Sequence, residues 1–119
     1  MFLTRISSVV TGHSAREAIS KYASDGTLIA EFTLAVGDGS VKFPTMWVMI
    51  TVWEKLAEQA LEAISMKGVK VEASGILLVR QYEGKRGKGV AIELKNVREL
   101  KIYDRDGKLV KVLSGEKAE

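Results

Sequence analysis

The stretch Thr45-Met46-Trp47-Val48-Met49-Ile50-Thr51-Val52-Trp53 alternates with a period of two and runs directly into Glu54-Lys55-Leu56-Ala57-Glu58, where the period changes. Successive side chains of a strand point to opposite faces, so Trp47, Met49, Thr51 and Trp53 share one side and Met46, Val48, Ile50 and Val52 the other. The second set is wholly apolar and suits the core side of a sheet, which leaves both tryptophans on the more open surface. Beyond Trp53 a helical stripe of Leu56, Ala57, Ala60, Leu61 and Ile64 predicts an amphipathic helix over residues 54–68. Glu54 suits its N-terminus, and Lys67-Gly68 reads as its basic last turn and glycine cap.

Working outward, residues 2–12 form a first strand with imperfect alternation that ends at Gly12. His13 to Lys21 offers only Ala15, Ala18 and Ile19 for apolar contact, which predicts a loop or one short turn. Ser24-Asp25-Gly26 supplies a turn. From Thr27 to Val36 the chain alternates again, with Leu28, Ala30, Phe32, Leu34 and Val36 on one side and Thr27, Ile29, Glu31 and Thr33 on the other. Gly37-Asp38-Gly39-Ser40 breaks this strand, and Pro44 stands just before the next, so the two strands form a hairpin.

Downstream, Val69 to Tyr82 is one long strand in which Gly75 marks a bulge or sharp coil. Glu83 to Gly89 reads as a flexible basic loop, and Val90 to Tyr103 as a strand interrupted near Asn96 and Glu99. Asp104-Arg105-Asp106-Gly107 then turns into Lys108 to Leu113, a closing hairpin. The order is three strands, a helix, two strands and a hairpin. That order fits an all-β fold with one helix: a five-stranded Greek-key barrel of the oligonucleotide/oligosaccharide-binding (OB) type, with the helix between strands three and four and an extra C-terminal hairpin. A partly open sandwich shares the pattern. The expected organisation is one domain over residues 1–113 and a short polar tail, 114–119.

At 119 residues with 46% hydrophobic content, the chain is long enough to bury a core. It has no cysteine, which excludes disulfides, thiolate metal sites and a cysteine nucleophile. No apolar run approaches membrane-spanning length, and the N-terminus lacks the apolar core of a signal peptide. The expectation is a soluble protein, cytoplasmic and nucleoid-associated, or organellar. The formal charge of +3 is mild for a partner of polyanions, but Arg80, Lys85, Arg86 and Lys88 crowd one segment against Glu83 alone.

His13, the single histidine, has no partner for metal ligation, and with one histidine most general-base schemes cannot be built. Gly84 to Gly89 lacks the Lys-Ser/Thr pair and following helix of a phosphate-binding loop. Asp104 and Asp106 lack the later ligands of a calcium loop. Neither enzyme activity nor a metal or cofactor is expected.

Three segments carry a resemblance. They are Tyr22-Ala-Ser-Asp-Gly26 through Ala35, Trp47-Val-Met-Ile-Thr-Val-Trp53-Glu-Lys-Leu-Ala-Glu58, and Lys67-Gly68-Val-Lys-Val71 continuing through Gly75 to Tyr82. Together they resemble the bacterial single-stranded DNA-binding protein family over nearly the whole chain up to about Val97. The resemblance implies that Trp47, Trp53 and Tyr82 stack bases, with Phe43 in the loop before them as a looser match. Beside them the crowded basic residues Arg80, Lys85, Arg86 and Lys88 are expected to line the path of a single strand of DNA and neutralise its phosphates. A homotetramer is implied, with a dimer as the fallback.

The family's acidic, phenylalanine-ended tip is absent from Gly115-Glu-Lys-Ala-Glu119, so recruitment of repair proteins through it is not part of the expectation; truncation would also explain its absence. Two other readings of the residues stay open. One is a primosome-type accessory protein of the same fold, and the other an interaction module whose tryptophan face is a subunit interface.

Overall fold

A computed structural model describes residues 6–85 and 87–115. The chain forms β1 (Ile6–Ser14), β2 (Ile19–Tyr22), β3 (Leu28–Val36), β4 (Met46–Trp53), α1 (Glu54–Ala63), β5 (Lys70–Gly84), β6 (Gly87–Lys95), β7 (Glu99–Tyr103) and β8 (Leu109–Ser114). Strand β3 pairs antiparallel with the whole of β4, from Ile29 opposite Trp53 to Val36 opposite Met46. Strand β4 continues the sheet in parallel to β6, β6 pairs antiparallel with β5, and β5 with β1. Because β1 also pairs with the end of β3, through His13 and Ser14, the five strands close on themselves. This is the expected OB barrel, with α1 between its third and fourth strands and the hairpin β7–β8 appended to β5.

The alternation explains the core. Ala30, Phe32 and Leu34 of β3 and Val48, Ile50 and Val52 of β4 are buried, facing Val71 and Ala73 of β5 and Leu94 of β6. Helix α1 closes one end of the barrel with Leu56, Ala57, Ala60 and the following Ile64. Each large aliphatic side chain so buried contributes about 1.5–3 kcal/mol against leaving it in water. Two glycines permit the strong coiling. A Cβ at Gly12 would lie 2.6 Å from the Ala35 carbonyl oxygen, and one at Gly75 would lie 2.6 Å from that of Lys95. At Gly75, β5 changes neighbours, from β7 over residues 70–73 to β6 from Ile76 onward.

Four expectations need correction. The segment after β1 is a strand, β2, laid along β3 from Ile19 opposite Glu31 to Tyr22 opposite Leu28. All four of its residues are exposed, so no burial pattern announces it; β3 supplies the hydrogen bonds that define it. The helix stops at Ala63, with Ile64 as its cap, and Gly68 (φ +91°) belongs instead to the turn into β5. That turn is tied to the end of β1 by buried Ser14, whose hydroxyl donates to the Met66 carbonyl at 2.8 Å and accepts the Val69 N–H at 2.9 Å.

The segment 83–89 is a tight hairpin rather than a loop, since Gly84 still pairs with Gly87, and Gly87 has φ +108°. Finally, Met46 at the start of β4 is exposed although its parity points inward, because the core ends beneath Val48. The interruption expected at Asn96 is present: Asn96 takes φ +57° and separates β6 from β7. Phe2 and Leu3 of the expected first strand, and residues 116–119 of the tail, lie outside the described residues.

Candidate nucleic-acid interface

The outward residues of β4 define a face. Trp47 is 58% exposed and Trp53 50%, with Met49 and Thr51 between them. Six residues of strand separate the two rings by roughly 20 Å along β4. Residues opposite one another in register share a face, so β3 adds Ile29, Glu31, Thr33 and Ala35 on one side. On the other side β6 adds Glu93, opposite Met49, and β5 adds Leu78, Arg80 and Tyr82. Strand β2 extends the face at the Trp53 end through Lys21, opposite Ile29. Ile29 itself is buried there, although it sits on the outer face.

Tyr82 is 55% exposed and lies across Gly89, its partner on β6; a Cβ at Gly89 would overlap the Tyr82 ring. The absence of a side chain at position 89 therefore lets the ring lie flat on the hairpin. Phe43 belongs to the loop between β3 and β4. Its backbone organises that loop, for its carbonyl accepts N–H groups of Asp38 (3.1 Å) and Gly39 (3.0 Å) and its N–H donates to Ser40 Oγ (3.0 Å). The ring takes no part in this and stays 57% exposed, with Lys42 Nζ 5.6 Å from its centroid. Hydrogen bonds from the Ser40 hydroxyl and backbone N–H hold the Asp38 carboxyl below its usual value, and Thr27 does the same for Asp25.

The basic residues are distributed less simply than their crowding in sequence suggests. Arg80 lies on the tryptophan face, but its Nη2 is 2.7 Å from Glu93 Oε1. Lys88 stands opposite Glu83, one residue out of phase with Tyr82 and so on the other face of the hairpin. Lys85 occupies the hairpin tip, and Arg86 lies outside the described residues. The structure brings in residues that the sequence alone did not single out: Lys21, paired with Glu31 at 2.8 Å, and Lys95, which line a cavity of about 670 Å³ with Thr51, Trp53 and Glu93. Lys21 and Glu31 meet only because β2 exists, and that strand has no signal of its own.

The face thus combines exposed rings, separated along one strand, with cations at its edges. Aromatic faces of this kind accept any base, because every base presents a π-surface. The sequence matches none of the curated proteins. The model of the single-strand binding protein family matches residues 7–102, which takes in the barrel and runs into β7, and includes every ring described above. The chain is therefore a member of the single-strand binding protein family.

Proposed function

We propose that the chain is a non-enzymatic, largely sequence-tolerant binder of single-stranded DNA, protecting it during replication, recombination or repair. The observation that carries this reading is the pair of half-exposed tryptophans held apart on one barrel strand. Trp47, Trp53 and Tyr82 stack bases, Phe43 extends the aromatic path at the β3–β4 loop, Lys85 and Arg86 meet phosphates at the hairpin, and Lys88 reaches them from the hairpin's other face. Arg80 reaches phosphate only by leaving Glu93, so its net contribution is smaller than its position implies.

One domain over residues 1–113 carries the activity. It acts as a homotetramer, with a dimer as the fallback, in the cytoplasm or an organelle. Titration with oligo-dT while following tryptophan fluorescence tests this. Quenching at low salt is expected, together with weaker binding by Trp53→Ala; an unquenched signal, or unaltered binding by that variant, overturns it. Sedimentation with and without the oligonucleotide separates it from an interaction module, which would form stable oligomers and ignore DNA.

A further inference from the structure

Among the described residues, Glu93 Oε2 is a buried side-chain polar atom without a hydrogen-bond partner. Its twin, Oε1, accepts from Arg80 at 2.7 Å. The Glu93 side chain is 14% exposed, while that of Arg80 is 66% exposed. An acceptor left unmatched in this way carries a desolvation cost that a suitable donor would relieve. Glu93 is placed where such a donor can arrive: it stands opposite Met49, between the two tryptophan positions, and lines the same cavity as Thr51 and Trp53.

The charges decide what the donor is. Two carboxylates, Glu31 and Glu93, lie on this floor, each already joined to one cation, Lys21 or Arg80. Lys95 lines the same cavity, so the cations Lys21, Lys95 and Arg80 surround the two acids. A phosphate is drawn to those cations at the rim rather than placed over the carboxylates, which leaves the bases to turn inward toward Glu93. Of the two pyrimidines, cytosine offers an exocyclic amino group, which suits a carboxylate acceptor. Thymine offers at that position a carbonyl, which a carboxylate repels. Arg80 is exposed enough to turn toward a phosphate, and its departure frees the carboxylate to swing toward the base.

Resting on the single-stranded DNA reading above, we propose that Glu93 accepts a hydrogen bond from the amino group of a base stacked on the tryptophan face, so that one position of the bound strand favours cytosine over thymine. Glu93 is then a specificity-determining residue within an otherwise tolerant site. Removing its charge alters attraction for every oligonucleotide alike, whereas exchanging one of its acceptor oxygens for a donor amide alters the ratio between them.

The test is the ratio of oligo-dC to oligo-dT affinity, measured by fluorescence at one salt concentration for the wild type and for Glu93→Gln. The ratio is expected to fall about fivefold in the variant, whose amide can also donate to thymine. An unchanged ratio overturns the proposal and leaves Glu93 as a clamp for Arg80. A second measurement needs no variant: oligonucleotides carrying 2-pyrimidinone, which lacks the amino group, should bind the wild type more weakly than oligo-dC, and equal binding also overturns the proposal. If neither oligo-dC nor oligo-dT quenches the wild type, the single-stranded DNA reading itself falls, and this proposal with it.

Discussion

At the scale of single residues, the tryptophans and Asp38 make separate predictions. Trp47 and Trp53 are too far apart along β4 to hold the same base, so each alanine substitution should cost about 1–3 kcal/mol of binding to oligo-dT. The double variant should show the sum to within about 0.5 kcal/mol. A marked departure from additivity in the titrations would mean that the two rings act on one shared group. Asp38 predicts a pH effect. Its carboxyl is held below 3.8 by the Ser40 hydroxyl and backbone N–H, so the folded pKa is depressed. What this bond adds to the loop is present above about pH 4 and lost as pH falls through the lowered value. The Ser40 amide resonance should accordingly titrate with a midpoint below 3.8, and a midpoint at or above that value would show the bond absent in solution.

Among the elements, β5 carries one side of the closed ring, pairing with β1 and β6 within the barrel and with β7 of the appended hairpin. Gly75→Ala would press a methyl group against the Lys95 carbonyl, backbone that cannot turn aside. Urea denaturation should show a loss of about 1–3 kcal/mol, the usual cost of inserting a methylene into filled space; an unaltered midpoint would mean the strands spread at no cost. The elements also differ in how plainly the sequence announces them. β3 and β4 were legible because one side of each is buried, which imposes a period of two on residue choice. The break at Asn96 was legible too, since asparagine tolerates the left-handed conformation that it adopts.

β2 was not, because a strand exposed throughout leaves Ile19, Ser20, Lys21 and Tyr22 free of any pattern. The helix end was misplaced for a related reason: Gly68 signals a positive φ without saying whether a helix or a turn requires it. The same division applies to the site. Exposed rings on an alternating strand stand out in one dimension, whereas Glu93 acquires its role only from Met49 and Arg80, residues 44 and 13 positions away that the barrel brings beside it.

For the molecule as a whole, charge at the hairpin sets the response to salt. Each cation that meets a phosphate of a single strand adds about 0.7 to the slope of log affinity against log salt. Lys85→Gln combined with Lys88→Gln should therefore flatten that slope by roughly 1.4 if both reach the backbone. An unchanged slope would place the DNA elsewhere on the barrel. The closure of β1 against β5 sets a different property. With Ile6 opposite Leu77, the ring cannot complete until distant parts of the chain have met, and such topologies fold in roughly milliseconds to seconds rather than microseconds. Early in refolding, or while the chain is still being synthesised, Trp47 and Trp53 exist on a strand whose parallel neighbour β6 has yet to arrive. Competence to hold DNA is thus a late acquisition of folding, reached in the same step that seals the barrel.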